Sequence, residues 1–217
     1  MHRILIADDH PVIREGLAYV LGQEPDCEVC GKAGSVAEAL ELAARTHPDL
    51  VITDLSFPER SGLELIKDLA TLKPGLPVIA ISLHDELIYA ERVFRAGGKA
   101  YLMKDAVPNL IMEAIRRVLA GGVYASQAVT DHLLHSMAGS QPTTQPKLPL
   151  KRLSDRELEV FDLIGHGKNP REIAETLHIS TRTVDAHRGH IREKLGLADT
   201  TDLTCYAVRW VESGNLE

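Results

Sequence analysis

Over its first 125 residues the chain alternates short apolar runs with longer stretches in which apolar residues recur at helical spacing. The runs at 4–7, 50–53, 77–81 and 100–103 are nearly continuous in Ile, Val, Leu and Ala, as in parallel strands covered on both faces. A fifth, shorter strand is expected at 28–33. Between them, Val12, Ile13, Leu17, Val20 and Leu21 form one helical stripe, opened by His10-Pro11. Ser35, with Glu38 three residues on, opens a second helix running to about residue 45. Further helices are predicted at 63–72, at 86–96 before Gly97-Gly98, and at 109–120 before Gly121-Gly122. Strands and helices in strict alternation imply a doubly wound α/β unit, a five-stranded parallel sheet with helices on both faces.

The pattern changes after residue 126. Residues 129–137 are compatible with helix, and 138–149 are rich in Gly, Ser, Gln, Thr and Pro, too polar and too proline-broken to bury. An all-helical pattern follows. Ser154 and Glu157 have capping-box spacing, and Leu158, Val160, Phe161 and Ile164 continue the apolar face until Gly165 and Gly167, which are expected to stop it. A short helix at 170–177, a turn at 178–180, a helix from Ser180 or Thr181 to Leu195 and a last helix at 201–211 complete the chain. Two short helices, a tight turn and a basic helix fit the helix-turn-helix pattern. The expected organisation is an α/β domain at 1–125, a linker at 126–149 and a small all-α domain at 150–217.

The net charge of −7 does not suggest a nonspecific polyanion binder, but the balance is uneven. Residues 1–146 carry 13 Lys and Arg against 19 Asp and Glu, whereas residues 147–217 carry 11 against 12. Cys27, Cys30 and Cys205 make no disulfide framework. The C-x-x-C spacing of the first two lacks a second pair, so a structural reading outweighs a zinc or redox one. No signal-peptide pattern opens the chain, and no apolar run approaches the roughly 20 residues of a membrane span. A cytoplasmic location without membrane contact is expected.

The candidate chemistry lies at the strand ends. Asp8-Asp9 follow the first run, Asp54 ends the run at 50–53, Ser82 ends the run at 77–81, and Lys104 follows the run at 100–103. Ligands of open α/β sheets bind at the carboxyl ends of the strands. Taken singly, each residue reads as a turn, a cap or a solvated side chain; acids, a hydroxyl and an ammonium at four of five ends are another matter. Clustered carboxylates resist ionising together. Mg²⁺ relieves that repulsion and takes hard oxygen ligands and phosphate oxygens. An ionised Asp can attack phosphorus to give an aspartyl phosphate, with positioned cations and donors stabilising the transferring group.

The basic helix carries its own signal. Ser180, Thr181 and Thr183 stand at its start, where hydroxyls and free N–H groups can hold phosphate. Arg182, Arg188, Arg192 and Lys194 can reach phosphates or base edges, and Asp185 and Ala186 sit among them. Asp185 would repel phosphate; it is suited either to accept from a cytosine amino group or to pair with a nearby Arg. Leu203, Tyr206, Ala207 and Trp210 fit either a dimer contact or closure of the small core.

Together these residues resemble a known family. Asp8-Asp9-His10, Asp54 with Pro58 and Ser61-Gly62, Ser82, and Tyr101-Leu102-Met103-Lys104 resemble the flavodoxin-like receiver domain of two-component response regulators. Residues 153–197 resemble the LuxR-type helix-turn-helix, and the two in this order resemble the NarL/FixJ class. The resemblance implies a transcriptional regulator rather than an enzyme. Asp54 would accept a phosphoryl group from a phosphohistidine of a sensor histidine kinase. Asp9 would bind Mg²⁺ directly, Asp8 mainly through water, and Ser56 through its backbone carbonyl. Lys104 would contact the phosphoryl group, and Ser82 and Tyr101 would form the switch pair, the ring turning inward behind the hydroxyl. Double-stranded promoter DNA and a homodimer formed on phosphorylation are the implied partners. Three departures stand out: Gly98 and Ala100 replace the usual residues around the start of the last strand, Asp185 stands where a lysine is common, and Gly189 where a basic or bulky residue is frequent.

Two other classes are open on the residues alone. A small-molecule phosphatase of the haloacid-dehalogenase type needs a second Asp where Ser56 stands, and 217 residues leave no room for a cap. A receiver acting through protein contacts, with a weak or non-functional DNA-binding domain, draws on Asp185.

Overall fold

The computed structural model describes residues 1–58, 60–137, 149–177 and 179–214. The chain forms two compact units, dividing between residues 141 and 142. Of the expected linker at 126–149, residues 138–148 lie outside the described residues, as does the turn residue His178, and residues 127–137 are helical.

The first unit holds strands β1 (His2–Ala7), β2 (Cys27–Ala33), β3 (Leu50–Asp54), β4 (Val78–Ser82) and β5 (Ala100–Met103). Helices α1 (Pro11–Gly22), α2 (Val36–Thr46), α3 (Gly62–Leu72), α4 (Glu86–Ala96) and α5 (Val107–Leu119) alternate with them. All strand pairs are parallel, in the order β2-β1-β3-β4-β5. The chain therefore leaves β1 toward one edge and returns to the other side at β3, which opens a crevice between the carboxyl ends of these two strands.

One face of the sheet packs Ile4, Ile6, Ile52, Ile79 and Ile81 against Leu17 and Leu21 of α1 and Ile111, Ile115 and Val118 of α5. Leu5, on the opposite face, lies close to Leu42 of α2. Every residue of β3 and β4 is buried, which is why their sequences read as unbroken apolar runs rather than as alternation. The two cysteines of the C-x-x-C spacing go to different sides. Cys27 joins the α1–α5 core, while Cys30 sits at a β-bulge of β2 with its Sγ 3.5 Å from Thr46 Oγ1 at the end of α2. Side chains three apart on a strand face opposite ways.

Several boundaries differ from the sequence reading, among them β1, which starts at His2, and α10, which runs from Thr200 to Gly214. Helix α5 starts at Val107, two residues early, because Pro108 occupies the first turn, where its missing N–H has no partner to lose. Helix α6 (Gln127–Met137) begins at Gln127 and packs against α4. Its start is fixed by Ser126, whose hydroxyl accepts from Val129 N and donates to Glu86 Oε1 at 2.9 Å.

The second unit comprises a 3₁₀ turn (Pro149–Arg152) and helices α7 (Asp155–Gly165), α8 (Pro170–Thr176), α9 (Thr181–Leu195) and α10 (Thr200–Gly214). The predicted capping box is complete at α7: Ser154 Oγ accepts from Glu157 N, and the Glu157 carboxylate accepts from Ser154 N. Leu158, Phe161, Ile173, Val184, Ile191, Leu203 and Ala207 form the core. Helix α7 ends at Gly165, as expected. This glycine is the last buried residue of that helix, and a Cβ there would lie 2.7 Å from the Ala207 carbonyl oxygen of α10. The turn comes at Gly167, whose φ of +76° suits glycine. Leu203 and Ala207 are fully buried, and Phe161 packs on both Tyr206 (5.9 Å) and Trp210 (5.4 Å). Helix α10 thus closes the small core.

Candidate functional site

The strand register brings the polar ends level. Ala7 pairs with Thr53, Asp54 with Ile81, and Ser82 with Met103, so Asp8, Asp54, Ser82 and Lys104 all emerge at one edge of the sheet. Lys104 reaches across β4, placing its Nζ 2.7 Å from Asp54 Oδ2 and 2.8 Å from Asp8 Oδ2. Asp54 is 2% exposed and Asp8 fully buried. Leu55 N donates to Asp54 Oδ1 at 2.7 Å, which orients the carboxylate. The loop after β3 folds back tightly: Gly62 N donates to Leu55 O, and a Cβ at Gly62 would overlap the carbonyl oxygen of Asp54. Glycine is needed there for the close approach.

Burial, and next to it the Asp8 charge, push the Asp54 carboxyl above its ordinary value; Lys104 and a Ser56 hydrogen bond oppose this without cancelling it. Burial works against the Lys104 charge, but Asp54 and Asp8 outweigh it and hold the ammonium more firmly protonated than usual. Asp8, Asp9, His10 and Asp54 each offer one ligand atom, and these atoms lie within 4.8 Å of one another. Three carboxylates beside one ammonium retain negative charge, and their hard oxygens fit a small divalent cation. His10 joins this cluster, although sequence reading assigned it no role beyond opening a helix and standing in the Asp8-Asp9-His10 motif.

Ser82 and Tyr101 meet at one residue. Ser82 Oγ accepts from His84 N at 3.2 Å, and the Tyr101 hydroxyl donates to His84 O at 2.6 Å. The Tyr101 ring is buried, and burial raises its phenol pKa, keeping it neutral. His84 also stacks on Tyr89 of α4, and its Nε2 lies 3.0 Å from Ser56 Oγ. His84 therefore ties the loop after Asp54 to α4 and to Tyr101.

In the second unit, Ser180 caps α9 by accepting from Thr183 N at 3.0 Å. At about 100° per residue, Val184 and Ile191 define the buried side, and Arg182, Asp185, Ala186 and Gly189 define the opposite one. Arg182, Asp185 and Ala186 are exposed. Thr181, Arg188 and Arg192 flank that side on one edge, Thr183 and Lys194 on the other. Arg188 pairs with Asp185 at 3.3 Å. Lys194 is engaged elsewhere: its Nζ lies 2.6 Å from Glu157 Oε2 of α7. Sequence periodicity did not reveal Glu157 as its partner, because that contact depends on how α7 and α9 cross.

Comparison with known proteins gives both units a family. Residues 4–116 match the response regulator receiver domain, and residues 151–207 match the bacterial regulatory proteins of the luxR family. The chain is a two-component response regulator. It is 36% identical over 210 residues to the oxygen regulatory protein NreC of Staphylococcus aureus, covering 95% of this chain and 97% of that one. RcsB from Salmonella enterica serovar Typhimurium, solved bound to promoter rprA with the phosphomimetic BeF3-, shares 25% identity. It superposes with a TM-score of 0.64 over 95% of this chain and 98% of that one. A second structure, of two RcsB dimers bound to two parallel DNAs, gives 0.58 at 25% identity, over 94% and 97%. The response regulator is thus a phosphorylation-controlled, DNA-binding transcriptional regulator, and its receiver implies a histidine kinase as partner. No helix among the described residues is long and apolar enough to cross a membrane.

Proposed function

We propose that Asp54 accepts a phosphoryl group from a sensor histidine kinase and that the phosphorylated chain binds double-stranded promoter DNA as a homodimer through α9. The observation that carries this reading is the convergence of Asp54, Asp8 and Lys104 at the crevice between β1 and β3. An Asp54 oxygen attacks phosphorus, the P–N bond to the kinase histidine breaks, and the electron pair stays on the imidazole. Lys104, already against Asp54, balances charge on the transferred group. Asp8, Asp9, Asp54 and the Ser56 carbonyl would hold Mg²⁺, which supplies charge neutralisation for the phosphoryl oxygens. Ser82 is a hydroxyl donor for that group, and leaving His84 N for it would alter the contact that also receives Tyr101. The protein is a switch rather than an enzyme with a small substrate, and it acts in the cytoplasm, where promoter DNA lies.

Labelling with acetyl phosphate and Mg²⁺ tests the acceptor. Wild type should incorporate phosphate, and Asp54→Asn should not; labelling of the variant at the wild-type rate would overturn the assignment. For α9, Ser180, Thr181, Arg182, Thr183, Asp185, Ala186, Arg188 and Arg192 are the residues we assign to DNA, with Lys194 tied back to Glu157 as a weaker member. The exposed carboxylate of Asp185 favours a second reading, in which the regulator works through protein contacts with little DNA affinity. Gel shifts at two salt concentrations separate the two, since phosphate-mediated binding must weaken steeply with salt.

A further inference from the structure

The loop that carries both switch contacts also holds the start of α6. Ser82 Oγ accepts from His84 N at 3.2 Å, and Tyr101 donates to His84 O at 2.6 Å. One residue on, Asp85 caps α4 by accepting from Leu87 N at 2.8 Å. Glu86, the first residue of α4, accepts at Oε1 from the Ser126 hydroxyl at 2.9 Å. That hydroxyl accepts in turn from Val129 N at 3.1 Å, so a single oxygen caps α6 and ties it to α4. The chain just before it is fixed to the sheet: Tyr124 is buried, bridges Ala100 of β5, and donates its N–H to Lys99 O at 2.9 Å. Helix α6 is less firmly built. It has 11 residues, buries Val129 and leaves Leu134 exposed. Isolated helices shorter than about 12–15 residues are marginal in water, so packing on α4 keeps this one folded.

We propose that the Ser126–Glu86 hydrogen bond is a latch that docks α6 on α4 in the unphosphorylated chain, and that phosphorylation of Asp54 opens it. This rests on the acceptor reading given above and extends it to how the mark leaves the receiver domain. Ser82 turning toward the phosphoryl group leaves His84 N without its acceptor, and the backbone that sets Glu86 shifts. A shift of about 1 Å takes Oε1 out of hydrogen-bond reach of Ser126. Tyr124 stays in the sheet as the pivot, with Ala125 and Ser126 between it and the helix. Helix α6 is the last described helix before the DNA-binding unit, so its release lengthens the tether on that unit.

The test is amide hydrogen exchange of the full chain, read on residues 127–137 before and after treatment with acetyl phosphate and Mg²⁺, with phosphate incorporation followed by intact mass. Phosphorylation should speed exchange in α6 while β5 and Tyr124 stay protected. In the unphosphorylated chain, Glu86→Ala should speed α6 exchange by about tenfold, the scale of losing a hydrogen bond to a charged group, and phosphorylation should then add little. Glu86→Gln, which keeps an acceptor oxygen, should stay nearer wild type. Ser126→Asp retains a good helix cap but repels Glu86, so it should match Glu86→Ala and separate the latch from simple loss of the cap. An α6 that exchanges at the same rate with phosphate incorporated overturns the proposal and leaves the acceptor reading standing. Wild-type exchange of α6 in both Glu86→Ala and Ser126→Asp also overturns it. Failure to incorporate phosphate removes the acceptor reading, and the proposal with it.

Discussion

Lys104 Nζ lies 2.7 Å from Asp54 Oδ2, although the two residues end strands separated by β4. The same ammonium lies 2.8 Å from Asp8 Oδ2, so one cation bridges two buried carboxylates drawn from either side of the topological switch. Coulomb attraction in a site of reduced dielectric is strong, but so is the cost of burying the charges. The balance between the two shows in the shifted pKa values of Asp54 and Lys104.

Asp54 is a carboxyl whose pKa stands above its ordinary value of 3.8, with burial the main cause. Such a group stabilises the fold fully below that ordinary value, and the contribution is lost as pH rises through the raised folded-state value. Asp54→Asn removes the loss. In buffer without divalent cations, this variant should melt higher than wild type at pH 7, by about 2–4 °C for each kcal/mol gained. The gap should narrow as the pH is lowered toward 4. Thermal melts across pH check this, and equal melting temperatures at all pH values would show that the buried charge is not costly.

Glu157 has the opposite sign. Burial pushes its carboxyl up, but hydrogen bonds from Lys194 and Ser154 outweigh that and leave the pKa below its ordinary value of 4.5. Its contribution to stability is present above pH 4.5 and lost as pH falls through the lowered folded-state value. Glu157→Ala removes half of the capping box and the Lys194 ion pair together, at an expected cost of about 2 kcal/mol to the helical unit. Urea unfolding of the DNA-binding unit at pH 7 measures it. Lys194→Met should show only part of that loss, because the cap survives in that variant.

Gly165→Ala probes the contact between α7 and α10. The added Cβ would lie 2.7 Å from the Ala207 carbonyl oxygen and overlap the Val211 side chain, so the helices must separate. Overpacking of this kind costs about 1–3 kcal/mol. The loss should appear in the melting of the helical unit, with acetyl phosphate labelling at Asp54 retained.

Arg182 and Asp185 make opposed predictions on the exposed side of α9. Arg182→Ala should weaken DNA binding about tenfold and reduce the slope of log affinity against log salt by about one. Asp185→Asn frees Arg188 from its 3.3 Å ion pair and removes a charge that repels phosphate. Its affinity for unselected duplexes should rise several-fold at low salt and converge with wild type as salt increases. Fluorescence anisotropy over a salt series reads both, and unchanged slopes would exclude these residues from the phosphate contacts.

Much of this molecule was legible in local pattern. Strands buried on both faces, such as β3 and β4, must be apolar along their whole length, so Leu50–Asp54 and Val78–Ser82 announce themselves. Because parallel strands present their carboxyl ends at one edge, polar residues closing those runs become candidates before any coordinates are known. Capping chemistry is equally local, which is why Ser35, Ser154 and Ser180 mark helix starts correctly. Gly165 marks the end of α7 as expected, but only the approach of α10 shows that a glycine is there for space as well.

The sequence by itself determined the strand–helix alternation, the polar strand ends and the helix-turn-helix pattern, since each follows from the spacing of neighbouring side chains. Which charges touch was decided by tertiary structure alone. Lys104 meeting both Asp8 and Asp54, Lys194 turning to Glu157, and His84 joining Ser56 to Tyr101 all depend on strand order and helix crossing. Those geometries bring together residues tens of positions apart, and no periodicity along the chain encodes a distance between them.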